Sequence, residues 1–124
     1  MARILVAEDE DAVRAYVERA LTHAGHSVAA VADGLLAVDA LGRERFDLLV
    51  TDIVMPNMDG ITLALKVTKD WPDMAVLLMT GYAAERQRAH NLDALIHKVL
   101  AKPFTMAELL AAVDEALAKR PAGA

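Results

Sequence analysis

The sequence predicts an α/β protein, a three-layer α/β/α sandwich built on a five-stranded parallel sheet. Short aliphatic runs alternate with longer stretches of helical spacing five times along the 124 residues. The first such run, Ile4 to Ala7, lacks the polar alternation of a strand with one wet face, so both its faces should be covered. Strands that alternate with helices connect through right-handed βαβ crossovers, which place helices on both sides of a parallel sheet.

After the first strand, Asp11 can cap a helix whose apolar stripe is Val13, Val17, Leu21 and Ala24, and Gly25 is placed to end it. Ser27 to Val31 reads as the second strand. Asp33 and Gly34 open the next helix, with Leu36, Ala37, Ala40 and Leu41 on one face and Gly42 near its end. Leu48 to Thr51 is the third strand. The segment from Ile53 to Gly60 contains a proline and an Asp-Gly pair that forbid regular structure, and Asp59 can cap a helix running to about Asp70, before Trp71-Pro72.

Ala75 to Met79 forms the fourth strand, and a Thr80-Gly81-Tyr82 turn leads to a polar helix beginning near Ala84 or Glu85. His97 to Ala101 is the fifth strand. Thr105 and Glu108 make a capping box for the last helix, with Leu109, Leu110, Val113 and Leu117 on its buried face. Residues 1–120 thus make one domain, and Pro121 to Ala124 a short tail.

Composition narrows the function classes. Hydrophobic residues make up 56% of the chain and aromatics only 4%, as in a globular protein with an aliphatic core. The longest apolar runs are too short to span a bilayer, and Met1 leads into the first strand without a signal-peptide layout, so a cytoplasmic location and no membrane partner are expected. There is no cysteine, which excludes disulfides, thiolate metal sites and cysteine nucleophiles. A net charge of -5, with both signs mixed along the chain, argues against nucleic acid as a partner.

In parallel α/β sheets, sites form at the carboxyl ends of the strands. Glu8 and Asp9 follow the first strand, Asp52 the third, Thr80 the fourth and Lys102 the fifth, so all five converge on one edge. Three carboxylates in one crevice repel one another unless a cation lies between them. The donors are hard oxygens, and no histidine lies at these strand ends, which suits Mg²⁺ (with Mn²⁺ as a substitute) and not zinc or copper. A carboxylate beside Mg²⁺ can attack phosphorus, and Asp52 is the candidate. Lys102 supplies a point charge for one phosphoryl oxygen and Thr80 a hydrogen bond for another.

The chain resembles the CheY-like receiver domains of bacterial response regulators over nearly its whole length. The segments that carry the likeness are Ile4-Leu5-Val6-Ala7-Glu8-Asp9, Asp47-Leu48-Leu49-Val50-Thr51-Asp52, Met55-Pro56-Asn57-Met58-Asp59-Gly60, Met79-Thr80-Gly81 and Lys102-Pro103-Phe104. This resemblance implies the flavodoxin-like strand order 2-1-3-4-5. It implies a Mg²⁺ site made by Glu8, Asp9, Asp52 and the backbone carbonyl of Val54, phosphorylation of Asp52 by a histidine kinase or histidine phosphotransfer protein, and a cis bond between Lys102 and Pro103. A non-enzymatic signalling role follows, assisted only by the domain's own handling of its phosphoryl group, with a downstream protein target and a monomer or weak dimer. The length resembles stand-alone regulators of the CpdR type as well as chemotaxis proteins.

Two departures stand out. The family usually has an aromatic switch residue three positions before the lysine, where this chain has Val99; Tyr82, two residues past Thr80, is a substitute. His90 to His97 replaces the usual turn before the fifth strand. Two other functions compete with the phosphorylation switch: a receiver-fold adaptor that binds without phosphate, and a phosphohydrolase, the latter weakened because Val54 stands where an acid/base carboxylate would be needed. Glu10, Asp11 and the four histidines read as solvated or boundary residues, and Trp71 as a packing anchor.

Overall fold

The computed structural model describes residues 1–81 and 98–119. In chain order these form β1 (Arg3–Ala7), α1 (Asp11–His23), β2 (Ser27–Val31), α2 (Gly34–Arg43), β3 (Leu48–Asp52), α3 (Gly60–Asp70), β4 (Ala75–Thr80), β5 (Lys98–Ala101) and α4 (Met106–Ala118). The five strands make one parallel sheet in the order β2-β1-β3-β4-β5, as the sequence predicts. The expected helix from Ala84 or Glu85, the segment His90 to His97, the side chain of Tyr82 and the tail 121–124 lie outside the described residues.

Burial follows position in the sheet. Every residue of β3 and β4 is buried, which explains their unbroken apolar runs, whereas no residue of the edge strand β2 is fully buried. Side chains alternate between two cores because successive residues of a strand face opposite ways. Leu5, Leu49, Val76 and Leu78 pack on one side with Ala37 and Leu41 of α2 and Leu63 and Val67 of α3. Ile4, Val6, Leu48, Val50 and Leu77 pack on the other with Val17 and Leu21 of α1 and Leu109 and Val113 of α4. Trp71, the C-cap of α3, packs half-buried against the first core.

Three helix starts obey local chemistry. Asp33 accepts from the Leu36 N–H at 2.9 Å, Asp59 from the Thr62 N–H at 2.8 Å, and Thr105 with Glu108 forms the reciprocal capping box at 3.1 and 2.8 Å. The fourth corrects the sequence expectation. Glu10, not Asp11, is the N-cap of α1 and makes no side-chain cap, since Asp11 is already the first residue of the helix; the Glu10 N–H is held by Glu8 Oε2 at 3.1 Å. Helix α1 ends at His23, and Gly25 follows in the left-handed region at φ 99°.

Smaller corrections concern single residues. Leu36 is 48% exposed, since the buried arc of α2 runs through Gly34, Ala37, Ala40 and Leu41 and leaves Leu36 just outside it. On α4 the buried stripe is Leu109, Ala112, Val113 and Ala116, with Leu110 and Leu117 at its margins. Asp52 and Thr80 are the last residues of β3 and β4 and do not lie beyond them.

Gly60 sets the distance between α3 and the end of β3. A Cβ there would stand 2.0 Å from the Asp52 carbonyl oxygen, while the Gly60 N–H donates to the Ile53 carbonyl at 2.7 Å. Such a clash is with backbone, which cannot swing away as a side-chain tip can. Gly42 is the contrast, a helical glycine whose added Cβ would meet nothing within 4 Å. Gly60→Ala should therefore destabilise the fold by about 3 kcal/mol or more, and Gly42→Ala should stabilise it by up to about 1 kcal/mol. Urea denaturation of both variants checks the pair, and similar midpoints would contradict the close approach at Gly60.

Candidate functional site

The strand register brings the predicted residues together. Ala7 pairs with Thr51, so Glu8 and Asp52 stand level at the ends of adjacent strands. Asp52 pairs with Met79 and Thr80 with Ala101, so Thr80 and Lys102 each step one residue further along the same edge. Glu8, Asp9 and Asp52 each present a carboxylate oxygen, and these oxygens lie within 4.8 Å of one another. Asp9 is exposed, Asp52 is 8% exposed and Glu8 is fully buried.

Lys102 reaches into this group. Its Nζ lies 2.8 Å from Glu8 Oε1 and 3.3 Å from Asp52 Oδ1. Asp52 Oδ1 also accepts the Ile53 N–H at 3.0 Å. Thr80 is fully buried, and its carbonyl accepts the Lys102 N–H at 2.8 Å, which ties the start of the Lys102 turn to the end of β4. The Lys102–Pro103 peptide bond is cis.

Burial raises the Glu8 and Asp52 carboxyls above their usual range, since removing a carboxylate from water disfavours its charged form; contact with Lys102 offsets only part of this. The same burial acts to lower the Lys102 ammonium, but its contacts with Glu8 and Asp52 outweigh that and raise it overall. Among the described residues Lys102 is the cation in contact with this group, touching Glu8 and Asp52 but not Asp9, so three carboxylates meet one ammonium. Hard oxygen donors with excess negative charge fit Mg²⁺.

Above the acids opens a cleft of about 620 Å³, lined by Asp9, Asp52 and Lys102 at its polar end and by Val13, Tyr16, Val54, Pro103 and Phe104 along its walls. The Val54 side chain is 54% exposed. Val99 pairs with Leu78 and packs half-buried against the core beside α2 and α3, so no aromatic ring occupies that position.

Sequence reasoning passed over three contributors. Tyr16 and Phe104 flank the cleft with ring centroids 6.3 Å apart; Phe104 stands in the Lys102-Pro103-Phe104 segment, but neither its place in the cleft wall nor that of Tyr16 is marked by spacing. Arg14 donates from Nη1 to the Glu8 carbonyl at 3.0 Å and from Nη2 to Asp11 at 2.6 Å. Only the second contact is legible in sequence, as a three-residue acid-base spacing on a helix.

A parallel sheet of this order with an acidic crevice at its carboxyl edge defines a class, and residues 4–114 match the model of the response regulator receiver domain, so the chain belongs to that family. It is 40% identical over 117 residues to the response regulator receiver protein CpdR of Brucella abortus, covering 94% of this chain and 98% of that one. It is 38% identical over 109 residues to the response regulator MprA of Mycobacterium avium, covering 88% of this chain but only 48% of that protein, so it spans about half of that longer relative. Among solved structures it is similar to the chemotaxis response regulator CheY4 of Vibrio cholerae (TM-score 0.86, 26% identity, 94% of this chain and 98% of that one). It is likewise similar to the Mg²⁺-BeF complex of the response regulator TrrA of Thermotoga maritima (TM-score 0.83, 27% identity, 93% and 98%). No helix among the described residues is long and apolar enough to cross a membrane.

The crowding of charge has a measurable consequence. Burial raises the folded pKa of Asp52 above its unfolded value, so ionising it costs the fold stability. Asp52→Asn should raise the melting temperature in metal-free buffer by about 3–6 °C, the effect of roughly 1 kcal/mol at this size. The gain should shrink as pH falls through the raised pKa, where wild-type Asp52 takes up a proton and sheds the cost unaided. Scanning calorimetry at neutral and mildly acidic pH checks both parts, and a lower melting temperature for the variant at neutral pH would refute them.

Proposed function

We propose that this protein is a phosphorylation switch of a two-component phosphorelay, a stand-alone receiver that accepts a phosphoryl group on Asp52 and signals by protein-protein contact. The observation that carries this is the meeting of Glu8, Asp9 and Asp52 within 4.8 Å of one another, with the Lys102 ammonium on Glu8 and Asp52, at the end of a parallel sheet. The proposal includes residues 1–120 acting without an attached output segment, and the 98% coverage of CpdR supports it. A cytoplasmic location and a monomer or weak dimer go with it.

Glu8, Asp9, Asp52 and the Val54 carbonyl would hold Mg²⁺, whose chemistry there is to neutralise the charge of the acids and the incoming phosphoryl oxygens. The side chains of the protein supply the rest. An Asp52 carboxylate oxygen attacks phosphorus on a phosphohistidine, forming an O–P bond as the donor P–N bond breaks; the imidazole nitrogen keeps the electron pair and takes a proton. Lys102 faces a phosphoryl oxygen as a point charge, and the Thr80 hydroxyl donates to another. The donor is a histidine kinase or a histidine phosphotransfer protein, and the receiver of the signal is a downstream protein. In this proposal the domain assists its own phosphorylation and dephosphorylation at Asp52 and turns over no other substrate.

A second function keeps some support from one residue. Val99 is aliphatic and packed in the core, so the usual aromatic switch is incomplete, which favours an adaptor that binds its partner without phosphate. The two are separated by comparing proteins captured with Mg²⁺ and beryllofluoride, without treatment, and by Asp52→Ala. Partner sets that change with beryllofluoride support the switch, and identical sets support the adaptor.

A small-molecule phosphodonor with Mg²⁺ should modify wild-type protein at Asp52 and leave Asp52→Ala unmodified, as read by intact-mass and peptide analysis. Failure with a fold verified by circular dichroism would overturn the phosphoacceptor role. Val54 also bears on the product's lifetime, because an exposed aliphatic side chain beside the cleft cannot orient a hydrolytic water. The phosphorylated protein should lose its phosphoryl group slowly in Mg²⁺ buffer, and Val54→Asn should speed the loss about tenfold or more by supplying a polar group of the kind that contributes to general acid-base catalysis. An unchanged rate in the variant would remove Val54 from the account.

A further inference from the structure

The turn that carries two of the three acids is pinned from α1. Each polar atom of Glu8 has its own holder. Its N–H donates to the Val31 carbonyl at 3.1 Å, Oε2 accepts the Glu10 N–H at 3.1 Å, and Oε1 receives Lys102 at 2.8 Å. The backbone carbonyl accepts Arg14 Nη1 at 3.0 Å. That carbonyl belongs to the planar peptide unit that also contains the nitrogen and Cα of Asp9, so fixing it fixes the direction from which Asp9 leaves the strand. Asp9 is exposed and has little packing to hold it otherwise.

We propose that Arg14 is a positioning residue for the divalent-ion site, holding the Glu8–Asp9 peptide so that Asp9 and Glu8 stay within reach of Asp52. This rests on the proposal above that these acids hold Mg²⁺. An arginine near a cation site also repels the cation, so the two effects must be weighed. Here the guanidinium is already paired with the Asp11 carboxylate at 2.6 Å, and Asp11 faces solvent at 91% exposure. From the crevice the pair presents little net charge, and water screens what remains. Holding the peptide therefore outweighs repulsion, and loss of Arg14 weakens binding.

Isothermal titration of the metal-free protein with MgCl₂ tests this, with wild type, Arg14→Met, Arg14→Lys and Arg3→Met compared at one pH and ionic strength. Arg14→Met should weaken Mg²⁺ binding by about tenfold, the scale seen when groups that orient metal ligands are removed. Arg14→Lys should fall between it and the wild type, since an ammonium can still donate to the Glu8 carbonyl but cannot fork to Asp11. Arg3→Met removes an ion pair with Glu44 at the far end of β1 and should leave Mg²⁺ affinity unchanged even if it lowers the melting temperature. Equal or tighter binding by Arg14→Met overturns the inference, as does a matching loss in Arg3→Met, which would mark a general effect of stability. A wild type that binds no Mg²⁺ would instead overturn the metal site itself, and the inference with it.

Discussion

Burying Glu8 is the constraint on which the site depends. A carboxylate without solvent exposure is tolerated only if its oxygens are occupied, and here one takes the Lys102 ammonium and the other a backbone N–H. Those two bonds also dictate geometry. Lys102 stands 94 residues away in sequence, so satisfying Glu8 ties the first strand to the turn after the last one. Asp52 lies between the two and shares the same lysine at a longer distance. The residues proposed to do the chemistry are thus also a cross-brace of the sheet edge, and the electrostatic cost of crowding them is borne by the fold.

That cost is sustainable because the rest of the sheet is so thoroughly apolar. The strands β3 and β4 are buried throughout and carry a core on each face, which gives Asp52 and Thr80 rigid positions at their ends. Gly60 then lets α3 close directly over the Asp52 backbone, and the Asp59 cap starts that helix at the required place. Loops contribute the exposed partner Asp9 and the cleft wall Val54. Rigid strand ends with adaptable loops around them are the usual arrangement of sites on parallel sheets.

How far this could be read in the sequence depended on the range of the interaction. The strands were legible because each aliphatic run is continuous, and the caps at Asp33, Asp59 and Thr105 because their chemistry is local. The five residues at the sheet edge were legible because topology alone brings strand ends together. What stayed hidden needed distances. Leu36 and Leu41 look alike in a helical pattern, and only the packed orientation of α2 exposes one and buries the other. Asp11 has the right chemistry for an N-cap, but the helix starts at Asp11 itself, so the cap falls one residue back on Glu10, whose N–H is held by Glu8. Arg14 paired with Asp11 was foreseeable; its reach to the Glu8 carbonyl was not, because nothing in a helical repeat reports on the turn before it.

The unequal exposure of the three acids bears on how the proposed switch would begin. Glu8 is sealed and holds the lysine at 2.8 Å, Asp9 faces water, and Asp52 sits at the cleft with the lysine at 3.3 Å. With three carboxylates and, among the described residues, one ammonium at hand, the crevice is rich in negative charge, which a divalent cation would offset. Lys102 would then share the neutralisation of these acids with that cation. Its longer contact, the one to Asp52 at 3.3 Å, would give way more easily than the 2.8 Å contact to Glu8, leaving the ammonium held by Glu8 and close to new negative charge at Asp52. A phosphoryl group on Asp52 would supply that charge at the place Lys102 already faces. The crowding that costs the fold stability is thus the force that would favour a cation, and that cation together with Lys102 would offset the negative charge of an arriving phosphoryl group.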